Sequence, residues 1–104
     1  KRPLIGRLAR EHADEIVVTS DNPRSESPQS IISEICAGIP DPGVIREADR
    51  RAAIFRAVRD AGPLDCVLIA GKGHENYQET QGVRIPFSDV LTAREALAAR
   101  GGEA

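Results

Sequence analysis

Two short segments of this sequence carry side chains that could do chemistry together. One reads Ser20-Asp21-Asn22-Pro23-Arg24-Ser25-Glu26 and the other Gly71-Lys72-Gly73-His74-Glu75. In the first, Pro23 has no N–H and pushes Asn22 toward extended backbone, so the loop is stiff and the directions of Asn22 and Arg24 are fixed. The planar fork of Arg24 suits two-point capture of a carboxylate or phosphate. Asp-Asn-Pro is also ordinary turn chemistry, and from spacing alone a plain surface turn is the favoured reading. In the second segment, Gly71 and Gly73 permit positive φ and close approach of a ligand to the backbone. Glu75 could receive an ammonium group; its bland alternative is a solvated carboxylate or a hairpin-end ion pair worth under ~1 kcal/mol. Lys72 is followed by Gly73 rather than Ser or Thr, so the P-loop pattern fails. It could meet an anion or project into water. His74 by itself makes no metal site and reads as an ordinary hydrogen-bonded histidine.

These segments need a frame. Residues 3–13 have helical spacing in Leu4, Ile5, Leu8 and Ala9, with Pro3 in the first turn. Residues 15–19 (EIVVT) form a short β-branched run typical of a buried strand. Ser27-Pro28 offers an N-cap and a first-turn proline, followed by a stripe of Ile31, Ile32, Ile35, Cys36 and Ile39. Gly38, Pro40, Pro42 and Gly43 end that helix. Val44 and Ile45 make a short strand or an extended link. Asp49 caps a helix whose apolar face is Ala53, Ile54, Ala57, Val58 and Ala61, stopped by Gly62-Pro63. Cys66–Ala70 (CVLIA) reads as a second buried strand. Residues 76–80 and 83–87 form a hairpin about Gln81-Gly82, with Val83, Ile85 and Phe87 on one face. Ser88 or Asp89 caps a last helix containing Val90, Leu91, Ala93, Ala96 and Leu97, and Gly101-Gly102 fit its end. Strands alternating with helices predict an α/β fold with a mostly parallel sheet. Ligands bind beyond the carboxyl ends of such strands, so both loops are expected on the same sheet edge.

The 104 residues fit one domain, and a hydrophobic fraction of 40% is enough for a core. Phe55, Phe87 and Tyr77 are the whole aromatic set, and the net charge is −2. Both argue against nucleic acid as a partner, which needs stacking platforms or clustered positive charge. Cys36 and Cys66 are expected to be buried, unpaired thiols, since no other Cys and no suitably spaced His accompany them. No signal peptide or long apolar run is present, which predicts neither secretion nor membrane spanning. The first residue is not Met, and a fragment of something longer is expected.

VVTSDNPRSESPQSII followed by VLIAGKGHENYQ, with KRPLIG at the start and IPFSD before the last helix, is similar to the C-terminal domain of UDP-N-acetylmuramoyl-tripeptide synthetases, the E-type Mur ligases. The likeness covers nearly the whole chain. It implies a Rossmann-like, mostly parallel sheet flanked by helices, with a C-terminal β-hairpin. Residues 1–104 would be the amino-acid-binding domain without its first strand. An N-terminal domain would hold the UDP-sugar, and a central domain would hold ATP and Mg2+. In that family ATP converts a D-glutamyl carboxylate to an acyl phosphate, which the incoming amine attacks in the cytoplasm. Carried over by motif, Asn22 and Arg24 would face the distal end of meso-diaminopimelate, Arg24 pairing its distal carboxylate. The Gly71 carbonyl and Glu75 would bind the distal ammonium. Asp21, Pro23, Lys72, Gly73 and His74 would support the loops. No catalytic residue and no metal ligand is implied on this chain. Arg in the DNPR motif goes with meso-diaminopimelate, whereas lysine-adding relatives depart from it. The family's GGDRD segment is absent, and Val90-Leu91 stands where Arg-Glu often follows IPFSD. Two alternatives stay open: a Mur or folylpolyglutamate ligase domain for another amino acid, and a non-catalytic α/β module binding a small zwitterion or phosphate.

Overall fold

Polar caps set the starts of three of the four helices among the described residues. A computed structural model describes residues 2–22, 26–40, 43–71 and 75–102. The elements are α1 (Arg2–His12), β1 (Val17–Thr19), α2 (Pro28–Cys36), β2 (Ile45–Glu47), α3 (Arg50–Asp60), β3 (Tyr77–Thr80), β4 (Val83–Pro86) and α4 (Asp89–Gly102). Ser27 is extended (φ −67°, ψ 129°) and its hydroxyl accepts from the Ser30 N–H, while Pro28 opens α2. Asp49 caps α3 by accepting from the Ala52 N–H at 3.1 Å. Ser88, rather than Asp89, caps α4: its Oγ accepts from the Leu91 N–H at 3.2 Å.

β1 and β2 pair in parallel, Val17 opposite Ile45 and Thr19 opposite Glu47, with α2 as the crossover. The carboxyl ends of both strands therefore point the same way. β3 and β4 form a separate antiparallel hairpin, Tyr77 opposite Pro86 and Thr80 opposite Val83. Its turn holds Gln81 and Gly82 at φ 51° and 80°, the two positive values that match a tight turn to strand twist.

The core has two parts. Val18, Ile32, Cys36 and Ile39 form the first, joined by half-buried Ile16, Ile35, Val44 and Ala48. Ile54, Val58 and Ala96 form the second between α3 and α4, with Ile69 and Phe87 packed against it. A Val, Leu, Ile or Phe side chain taken fully from water contributes about 1.5–3 kcal/mol.

Several expectations are corrected. Residues 66–70 are not a strand, and Cys66 is exposed rather than buried. Leu68 is 86% exposed, and only Ile69 turns toward the second core part. Strand preference expresses packing against neighbours, and this run has no ladder partner among the described residues. The sheet is correspondingly reduced to the β1–β2 pair, while the α/β class holds. On α1, Leu4, Ile5 and Leu8 are exposed and Gly6 is the buried residue. The helix meets α2 by close backbone approach, which a glycine face permits and a leucine face does not. Val83 and Ile85 on the hairpin, and Val90, Leu91 and Leu97 on α4, are also exposed. α4 turns Ala93 and Ala96 inward as expected, together with Thr92, which the apolar spacing did not mark. Cys36 is buried and both thiols are free.

Candidate functional site

The site forms where the chain leaves β1. Ser20 is buried there, and its Oγ donates to the Ala48 carbonyl at 2.6 Å and accepts from Gln78 Nε2 at 2.9 Å. One hydroxyl thus joins the end of β1, the segment after β2 and the hairpin. Asn22 follows. Its Oδ1 accepts from the Glu79 N–H at 2.7 Å, and its Nδ2 donates to Glu75 Oε1 at 3.2 Å. Tyr77 Oη donates to the other carboxylate oxygen of Glu75 at 3.4 Å. The Glu75 carboxylate is held in place by both contacts.

Gly71 has φ 109°, a region that disfavours side chains, and a Cβ there would lie 3.8 Å from Asp21 Oδ2. The loops after β1 and after residues 66–70 therefore meet at one edge of the domain, as their order in the sequence predicts. A cleft of about 350 Å³ opens beside them, lined by Thr19, Ser20, Asp21, Asn22, Glu75 and Arg2. Pro23 and Arg24, and Lys72, Gly73 and His74, lie outside the described residues.

Beneath the cleft lies Arg50, 3% exposed. It forks onto Asp89, Nε to Oδ1 at 2.8 Å and Nη2 to Oδ2 at 2.6 Å. Its Nη1 donates to the Ser20 carbonyl at 3.0 Å and its Nη2 to the Ala70 carbonyl at 3.3 Å. Burial opposes its charge, but the hydrogen bond and attraction of Asp89, with Asp21 adding, hold the guanidinium above its ordinary pKa. On the cleft wall, Arg2 donates to Glu26 at 2.7 and 2.9 Å and to Glu34 at 2.9 Å. The Glu26 hydrogen bond leads in raising Arg2, and the same bond lowers Glu26 against a smaller effect of desolvation. Thr19 Oγ1 is buried with no hydrogen-bond partner among the described residues.

The sequence does not single out Ser20, Arg2, Gln78 or Arg50. For Arg50 a signal exists. It occupies the first position of α3, where the helix dipole disfavours a cation, so an arginine there needs a partner of its own. Chemically, the cleft presents the Glu75 carboxylate, held by Asn22 and Tyr77, which could receive an ammonium group. Among the described residues, no group of three or more His, Cys, Asp or Glu could hold a metal ion.

A parallel βαβ unit, with the loop after β1 meeting the loop after residues 66–70, defines an α/β domain with a cleft at that edge. Residues 1–73 match the family described as "Mur ligase, glutamate ligase domain", and the chain belongs to the Mur ligase C-terminal domain family. It is 60% identical, over its whole length, to the UDP-N-acetylmuramoyl-L-alanyl-D-glutamate–2,6-diaminopimelate ligase of Acidovorax sp. (strain JS42), covering 21% of that protein. It is 55% identical to the ligase of the same name from Chromobacterium violaceum, over 97% of this chain and 20% of that one. A solved structure titled as a UDP-N-acetylmuramoyl-L-alanyl-D-glutamate–2,6-diaminopimelate ligase superposes with a TM-score of 0.90 at 45% identity, over 97% of this chain and 21% of that chain. The chain spans about a fifth of the length of the curated relatives it matches.

Proposed function

We propose that this chain is the diamino-acid-binding domain, residues 1–104, of a protein that adds meso-diaminopimelate to UDP-N-acetylmuramoyl-L-alanyl-D-glutamate. The reaction is ATP-dependent and runs through an acyl phosphate, in the cytoplasm, as a step of peptidoglycan precursor synthesis. ATP, Mg2+ and the UDP-precursor are held mainly by other domains of the full-length protein. Glu75 and the Gly71 carbonyl take the distal ammonium of the diamino acid, Asn22 fixes Glu75, and Arg24 pairs the distal carboxylate. Asp21, Pro23, Lys72, Gly73 and His74 shape the two loops.

The observation that carries this reading is the Asn22–Glu75 hydrogen bond at 3.2 Å. It joins the two loops whose motifs resemble those of the diaminopimelate-adding ligases. The domain's part in the reaction is alignment: gripping the far end of the substrate aims the near amine at the acyl phosphate. A site built around a distal carboxylate discriminates against lysine, because lysine leaves a charged donor without its partner. Calorimetry of the full-length protein, with nucleotide and UDP-precursor present, should give tight binding of meso-diaminopimelate and weak binding of L-lysine. Equal affinity for the two would overturn the substrate reading.

A further inference from the structure

The two loops of the site have their roots on different segments, and one side chain holds both roots. Ser20 immediately precedes Asp21 and Asn22, and Ala70 immediately precedes Gly71. The guanidinium of Arg50 donates to the carbonyls of Ser20 and Ala70, at 3.0 and 3.3 Å, while Asp89 at the start of α4 grips its remaining edge. We infer that Arg50 is a positioning residue for the diamino acid: by holding the Ser20 and Ala70 carbonyls it sets the spacing between Asn22 and Gly71. The inference rests on the proposed function of the site.

The geometry requires an arginine. A guanidinium is planar and offers five N–H groups in fixed directions. Here one edge serves a carboxylate and the other reaches two carbonyls on separate segments. A lysine ammonium is a point donor on a flexible stem and cannot hold both carbonyls at a set distance while paired to Asp89. The placement also favours a distance-setting role. Residues 66–70 are not fixed by a ladder among the described residues, so the Arg50–Ala70 bond supplies a tie that strand pairing does not. Ile69 anchors the same run from its apolar side. Arg50 itself is fixed by its place on α3, whose cap is Asp49, and by Asp89, which Ser88 leaves free by capping α4. Small displacements of binding groups far from the reacting atoms have large kinetic effects, because the amine must be aligned with its target.

The test uses the full-length protein with three variants. Arg50→Lys keeps the charge and loses the fork. Arg50→Gln combined with Asp89→Asn removes both charges together, so no buried charge is left unpaired. Val58→Ala loosens the α3–α4 packing without touching either carbonyl and controls for general destabilisation. The expected result is a KM for meso-diaminopimelate raised roughly 10- to 100-fold in both Arg50 variants. In those variants KM for ATP and for the UDP-precursor stays unchanged, and kcat falls by less than KM rises. Val58→Ala should melt lower with an unchanged KM for the diamino acid. If the Arg50 variants melt lower but keep the wild-type KM, Arg50 is a structural ion pair only and the inference is overturned. If Arg50→Lys does not fold, the double variant decides by the same criterion. Wild-type protein that adds no diamino acid would overturn the proposed function itself, a result separable from any Arg50 effect.

Discussion

The side-chain amide of Asn22 has its two ends committed to different partners. Its oxygen takes the backbone N–H of Glu79 and its NH2 holds Glu75. Asn22→Asp keeps the acceptor and sets a second carboxylate against Glu75. KM for the diamino acid should rise while the urea midpoint changes little. Asn22→Ala loses both ends and should also lower stability by about 1–3 kcal/mol, the cost of leaving a part-buried donor unmatched. Arg24→Ala in the full-length protein should lower kcat/KM for meso-diaminopimelate by more than ~10-fold and for L-lysine much less. Equal losses would mean that Arg24 supports the loop rather than reading the substrate. The Arg2–Glu26 pair gives a pH dependence. The carboxyl of Glu26 is depressed by its partner, so its contribution is present above the unfolded value of about 4.3 and disappears as pH falls through the lower folded value. The urea midpoints of wild type and Arg2→Gln should therefore differ at neutral pH and converge in acid. Asn22, Gly71 and Glu75 were picked out by the resemblance of their two motifs, since from spacing alone a plain surface turn was the favoured reading. Ser20 and Arg50 were not, because their importance lies in carbonyls they meet across the fold, and a carbonyl has no sequence signature.

α1 and α2 touch through glycine. A Cβ on Gly6 would run into the Ile35 carbonyl, and one on Gly38 into the Pro3 carbonyl. Backbone cannot swing aside as a side-chain tip does, so Gly6→Ala and Gly38→Ala should each cost about 1–3 kcal/mol or more. Chemical denaturation monitored by circular dichroism would measure it, and a loss below half a kcal/mol would mean that the helices separate easily. This contact explains why the apolar spacing on α1 misled. Leu4, Ile5 and Leu8 mark a helix correctly, but closeness to α2 is set by the residue that lacks a side chain. The caps were the most legible features, since Ser27, Asp49 and Ser88 act within their own turns. Residues 66–70 were the least legible, because composition records a run's preference for strand and says nothing of what lies beside it.

At the scale of the molecule, the radius of gyration is 13.9 Å and the extents are 39 × 33 × 19 Å, near the roughly 13 Å expected of a 100-residue domain. One core part gathers around β1 and α2, the other between α3 and α4, and the ion pair of Arg50 with Asp89 lies by the loops that join them. Among the described residues no helix is long and apolar enough to cross a membrane. The chain by itself should form no ATP-dependent amide bond, since its sequence lacks a P-loop; turnover by the purified domain would refute this. The two motif stretches were enough to indicate the family, because in this order they are specific together though each alone is weak.

The hairpin tip suggests a use. A Cβ on Gly82 would meet nothing within 4 Å, and Val83 beside it is 60% exposed. One register pair back from the tip, the Glu79 amide is bonded to Asn22. A dye carried at Val83→Cys, with the exposed Cys66 changed to Ser, would sit in solvent one register pair from the Glu79–Asn22 contact. Its fluorescence anisotropy should rise on saturation with meso-diaminopimelate and stay flat with L-lysine, turning the hairpin into an optical readout of occupancy from a residue that does not line the cleft.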